Sequence, residues 1–147
     1  MTMKYFTIEE LCASDTAQRR GIDNRPSAAI SGKLQTLIEQ LLDPIRAAWG
    51  GPIAVNSGYR SPDLNKAVGG VSTSQHLKGE AADISVGSPA LNKQLFDRIV
   101  SLRDEGRIAF DQLIDESGYK WIHISYRAGA NRNQTLHLKG NRYSFIV

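Results

Sequence analysis

Residues 57–85 read SGYRSPDLNKAVGGVSTSQHLKGEAADIS. Within this stretch a lone arginine, Arg60, is followed by His76, Gly79 and Asp83 in the spacing His-x-x-Gly-x-x-x-Asp. The intervening glycine and alanines let the chain turn so that His76 and Asp83 can point at one centre. Further on, WIHIS places Trp121, His123 and Ser125 on one face of a strand, with Ile122 and Ile124 on the other. Two imidazoles and one carboxylate suit Zn²⁺, and three protein ligands leave a fourth position for water, as in a catalytic zinc site. Taken alone, the His76/Asp83 spacing is also a common accident. His137, in NQTLHLK, has no neighbour at ligand spacing and is read as a surface or hydrogen-bonded histidine.

The flanking sequence supplies the elements that would carry these residues. Thr7-Ile8-Glu9-Glu10 has the form of a capping box, so a short helix is predicted to run to about Ala13. The polar stretch SDTAQRRGIDNRPS reads as a surface loop. From 28 to 49 the apolar residues Ile30, Leu34, Leu37, Ile38, Leu41, Leu42, Ile45 and Trp49 recur at spacings of three and four, one stripe of an amphipathic helix. Gly50 and Gly51 stop that helix, and Pro44 inside it predicts a kink near Leu42. Residues 52–57 form a short β-type run, Ser61-Pro62 opens a brief helix, and 81–86 reads as another strand. Ser88-Pro89 starts a helix with the stripe Leu91, Leu95, Ile99 and Leu102. Residues 110–116 and 121–126 read as two strands joined by a tight turn at Ser117-Gly118. The order, helices first and then short strands with helices between them, predicts the α+β class.

The bulk numbers set the frame. A chain of 147 residues with 41% apolar composition fits one domain, 1–147, with a single core. No apolar run approaches the roughly 18 residues of a membrane span. The N-terminus carries charges at Lys4, Glu9 and Glu10 and lacks the apolar core of a signal peptide, so the protein is expected to be cytoplasmic as synthesised. One cysteine, Cys12, rules out an internal disulfide and is assigned to burial. The net charge of +3 favours a polyanionic surface. The 18 basic residues are scattered and no basic run is interleaved with aromatics, so no nucleic-acid partner is expected.

The three blocks SGYRSPDLN, SQHLKGEAADI and WIHISY together resemble the zinc D-Ala-D-Ala carboxypeptidase family, whose relatives include phage endolysins and the zinc-binding fold of hedgehog signalling domains. The resemblance covers residues 53–126, about half the chain, and the pattern S-x-H-x-x-G-x-A-x-D is matched by Ser74, His76, Gly79, Ala81 and Asp83. It implies Zn²⁺ held by His76, Asp83 and His123, a small antiparallel sheet with flanking helices, and hydrolysis of peptide bonds in peptidoglycan stem peptides or cross-links. Within the single domain, 1–51 is read as a helical N-terminal part and 52–147 as the zinc-site part. The resemblance also implies that Arg60 meets the substrate. Arg60 is always charged and its planar fork suits a terminal carboxylate or a developing oxyanion; a surface salt bridge is the plainer reading. A monomer is expected. Action on the cell wall would follow release, as for a phage or prophage lysin.

A general base must still be found. In some relatives an acidic residue stands three places before the last zinc histidine, and here that position is Lys120. A two-residue turn at Ser117-Gly118 would pair Glu116 with Tyr119, Ile114 with Trp121 and Gln112 with His123. Strand alternation then puts Gln112, Ile114 and Glu116 on the face of His123. Glu116 is the candidate base, with Asp115 second because it should point the other way; an exposed turn acid is the bland alternative. Trp121 would form an apolar wall beside the metal or serve the core. Ser74 and Gln75 are candidates to orient the ligands, and Ser74 also to meet substrate. The competing function is a catalytically inactive, zinc-stabilised cell-wall binding module.

Overall fold

The computed structural model describes residues 3–146. Six strands, β1 (Ala54–Ser57), β2 (Ala81–Ser85), β3 (Gln112–Glu116), β4 (Trp121–Ser125), β5 (Gln134–Lys139) and β6 (Arg142–Phe145), form one sheet of order β1-β2-β4-β3-β5-β6. The helices flank this sheet, and the α+β class stands. The sheet is mostly antiparallel, but β3 and β5 run parallel. The reason is topological: after β4 the chain reverses through residues 126–133 and returns on the far side of β3, so β5 points the same way as β3. Neither β5 nor β6 was expected from the sequence.

The long N-terminal stripe folds as anticipated but not as one regular helix. α3 (Ala28–Leu37) passes into a π-helical turn at Ile38–Leu42 and then into α4 (Asp43–Trp49). Pro44 has no N–H to give the carbonyl one turn back, and its ring crowds that carbonyl; a widened turn just ahead of it relieves both. Leu34, Leu37, Ile38, Leu41, Leu42 and Ile45 remain fully or almost fully buried through the bulge. Each such side chain contributes roughly 1.5–3 kcal/mol on leaving water. Their cluster is continuous with Ile84, Leu95, Ile99, Phe110, Leu113, Ile122 and Ile124 from the rest of the chain. No helix among the described residues is long and apolar enough to cross a membrane.

Two local expectations are corrected. The stretch read as a surface loop contains α2 (Asp15–Arg20), capped by Ser14 Oγ accepting from Ala17 N at 3.1 Å and ended by Gly21 at φ 65°. It is preceded by α1 (Ile8–Cys12), whose cap, Thr7, accepts from Glu10 N. In α6 (Pro89–Asp104), Leu91 is 41% exposed, and the buried position on that turn is Asn92. Its amide Oδ1 accepts from Val86 N at 2.7 Å, and its Nδ2 donates to the carbonyls of Tyr119 and Lys120 at 2.8 and 3.1 Å.

That amide also explains the β3–β4 register. The turn spans four residues, with Ser117, Gly118 and Tyr119 all at positive φ, and Glu116 pairs with Trp121 rather than Tyr119, as Ile114 does with His123. Asn92 holds the widened turn by its last two carbonyls. The pairing is shifted by two residues from the expected one, and a shift of two preserves the face of every side chain.

Candidate metal centre

Asp83 on β2 lies directly opposite His123 on β4. Its Oδ1 is 3.1 Å from His123 Nδ1 and 3.4 Å from His76 Nε2. One ligand atom from each of these three residues falls within 4.8 Å of the others. His76 comes from a 3₁₀ turn, Gln75–Lys78, which follows α5 (Pro62–Ala67). Ser74 caps that turn by accepting from His76 N at 3.2 Å, and Gly79 leaves it at φ 71°. A Cβ at Gly79 would stand only 3.0 Å from Ile30 Cγ2, so the turn seats tightly on α3.

The hydrogen bonds fix which nitrogen of His76 is available. His76 Nδ1 lies 2.7 Å from the Gly58 carbonyl, which can only accept, so Nδ1 carries the proton and Nε2 faces the site with a lone pair. That lone pair, the carboxylate Oδ1 and His123 Nδ1 converge on one point. Three acceptors so placed repel one another unless a cation sits among them. The donor set, two imidazoles and one carboxylate, fits zinc and leaves its fourth position to the cleft. Without a cation, protons on the imidazoles take its place: burial pushes the Asp83 carboxyl up, but hydrogen bonds from protonated His123 and His76 and their charge outweigh it, holding the group well below the usual carboxylate range.

Arg60 is held beside the centre by backbone ties from three directions. Its own N–H donates to the His76 carbonyl at 3.1 Å, and Tyr59 N–H donates to the Leu11 carbonyl at 2.8 Å. Asn24 brackets it, with Nδ2 donating to the Tyr59 carbonyl at 3.0 Å and Oδ1 accepting from Ser61 N at 2.7 Å. Asn24 is buried, although its segment reads as a surface loop; nothing in the sequence marked it. Arg60 Nε is buried and finds no hydrogen-bond partner among the described residues. Burial lowers the Arg60 pKa against the attraction of Asp83 and Glu116.

A cleft of about 600 Å³ opens over the centre and is lined by Arg60, Ser74, His76, Asp83, Glu116 and Trp121, among others. Glu116 enters it from the face of His123, as alternation requires. Its pKa is raised, first by burial and then by the charge of Asp83; His123 and Arg60 oppose this, and the Trp121 indole N–H does so without closing a well-formed hydrogen bond. Trp121 brings a polar atom as well as an apolar wall, its buried Nε1 having no well-formed hydrogen bond among the described residues. Gln75 does not orient a zinc ligand; its Nε2 donates to Asp111 at 2.8 Å, and the partner of the His76 ring is the Gly58 carbonyl.

Asp115 points to the opposite face of the sheet, where its carboxylate pairs with His137 Nδ1. Asp115 is accordingly removed from the cleft, and His137 is a hydrogen-bonded partner rather than a ligand. Cys12 is half-buried at the end of α1; burial and then Glu9 push its thiol up to about 11, so it is no nucleophile at neutral pH.

A family model described as peptidase M15 matches residues 4–125. The zinc D-Ala-D-Ala carboxypeptidase of Streptomyces albus G is 40% identical over 86 residues, an alignment covering 56% of this chain and 32% of that protein. The aligned part thus spans about a third of the relative's length. The family match takes in Arg60, His76, Asp83, Glu116 and His123 and most of the sheet around them, and the chain belongs to the peptidase M15 family.

Proposed function

We propose that the protein is a zinc metallopeptidase that hydrolyses peptide bonds in bacterial peptidoglycan stem peptides or cross-links. The observation that carries this reading is the convergence of His76 Nε2, Asp83 Oδ1 and His123 Nδ1 at the floor of a cleft that Glu116 and Arg60 also line. Zinc bound by these side chains would polarise a scissile carbonyl and acidify a water molecule to a pKa of about 7.

The remaining work falls to the chain itself. Glu116 sits on the metal face of the sheet, and its raised pKa makes it a better base than an ordinary carboxylate. Its carboxylate takes the proton from the attacking water and returns it to the leaving amine. Arg60 offers its free donors to a substrate carboxylate or to the oxygen that becomes negative at the reacting carbonyl. Trp121 lines the cleft beside Glu116 and walls the site. Ser74 holds His76 through the backbone and lines the cleft wall.

The similarity to a zinc D-Ala-D-Ala carboxypeptidase supports D-amino-acid-containing wall peptides as substrate. The net charge of +3 suits an anionic wall, and a lysin of phage or prophage type is the setting proposed for it. Digestion of purified peptidoglycan by the zinc-loaded protein, read by mass spectrometry, tests the activity. Glu116→Gln should bind the same material and release far less of it. A wild-type protein that binds the wall but never cuts it would instead be a binding module.

A further inference from the structure

Asp111, immediately before β3, is completely buried, yet its carboxylate serves a residue that is not. Arg132 Nε donates to Asp111 Oδ1 and Arg132 Nη2 to Oδ2, both at 2.8 Å, while the backbone N–H of Arg132 reaches Oδ1 at 3.2 Å. The side chain of Arg132 is 46% exposed and lines the same cleft as the metal centre. The other side-chain partner of Asp111 is Gln75 Nε2, next in sequence to His76. One buried carboxylate therefore fixes both the metal-bearing turn and this arginine.

The geometry of that pair leaves a specific edge open. A guanidinium has two bidentate edges, and Asp111 occupies the one formed by Nε and Nη2. The edge formed by Nη1 and the second proton of Nη2 makes no hydrogen bond among the described residues. A planar pair of parallel N–H groups matches a carboxylate. The surroundings favour an anion as well: Arg60, Lys78, Arg127 and Arg132 line the cleft. Of its acids, Asp83 belongs to the metal centre, Glu80 pairs with Lys33 at 3.4 Å, and Glu116 is the base.

We propose that Arg132, pinned by Asp111, is a specificity-determining residue that reads a second carboxylate on the substrate, distinct from the group met by Arg60. The preferred substrate is then a peptide whose residue near the scissile bond carries a free carboxylate rather than a carboxamide. This proposal rests on the peptidase reading above.

The test uses two stem peptides that differ only in that group, carboxylate or carboxamide. Zinc-loaded wild type is assayed for hydrolysis, and zinc-loaded Glu116→Gln for binding by calorimetry. The carboxylate peptide should be favoured by roughly 10- to 100-fold, the range of a charge-assisted hydrogen-bond pair, chiefly in KM and in Kd. The ratio should fall towards one in Arg132→Met and only partly in Arg132→Lys, which keeps the charge and loses the fork. Because Arg132→Met leaves a buried acid without its counter-charge, the double variant Asp111→Asn with Arg132→Met is measured alongside, with its melting temperature. Equal hydrolysis of both peptides by wild type overturns the role of Arg132 and leaves the peptidase standing. Loss of all turnover with the binding preference intact overturns the peptidase and keeps the carboxylate site.

Discussion

Asp83 and His123 stand directly opposite one another on antiparallel strands, and one oxygen of the carboxylate faces the imidazoles of both His123 and His76. A single atom thus defines the centre. Asp83→Ala should remove stoichiometric zinc while leaving the sheet folded, because the residue lies at the cleft and not in the apolar cluster. His76→Ala should do the same. Metal analysis after gel filtration, with circular dichroism as the fold control, checks both; retention of one zinc per chain in either variant would contradict the ligand set.

Gly58 supports the centre from behind. A Cβ there would stand 2.2 Å from the Leu11 carbonyl oxygen, so Gly58→Ala must push apart the segments that carry Arg60 and orient the His76 ring. The expected cost is about 1–3 kcal/mol of stability. Zinc affinity should drop by roughly 10- to 100-fold, the usual penalty for disturbing a ligand's outer partner. Denaturant titration and competition with a chelating dye measure the two effects separately.

As the proposed base, Glu116 would link catalysis to stability. Its folded pKa is raised above the ordinary 4.5, so the metal-free folded state holds its proton more tightly than the unfolded chain does. That contribution is fully present below pH 4.5 and is lost as pH rises through the raised value, leaving a penalty at neutral pH. Glu116→Gln should therefore melt higher than wild type at pH 7 in the metal-free state, with the advantage shrinking below pH 4.5. The same variant should lose about 10²- to 10⁴-fold in turnover while keeping its zinc. A lower melting temperature at pH 7 together with unchanged turnover would remove Glu116 from the role of base.

On the far side of the sheet, His137 is the side-chain partner of the buried Asp115. His137→Ala should cost about 1–3 kcal/mol, the penalty for an unsatisfied buried group, with kcat/KM on wall peptides near that of wild type. A fall in activity without a fall in stability would mean that the two faces are coupled.

Much of the site was legible because strand alternation is robust. The turn between β3 and β4 is two residues longer than its Ser117-Gly118 core suggests, but an even shift left Glu116 and His123 on one face. Pro44 likewise announced a departure from regular helix, and the backbone answered with a π turn rather than a sharp break. What escaped was set by tertiary contacts. Asn24 and Asn92 look like ordinary loop and helix-surface residues, and only long-range backbone groups give them their roles. Three missed elements did carry local signals. Ser14 and Gly21 bracket α2 as cap and stop, and Gly140-Asn141 separates the alternating runs of β5 and β6. The pairing of β5 with β3 is parallel and leaves no turn signature between the two strands.

The most direct test of the central claim is mass-spectrometric analysis of peptidoglycan digested by protein of known metal content, with and without a chelator. One zinc per chain and new stem-peptide fragments that vanish on chelation and return with added zinc are the expected result. Fragments that persist after complete removal of the metal, or a folded wild type that takes up no zinc, would contradict the assignment of His76, Asp83 and His123 as the centre of a zinc peptidase.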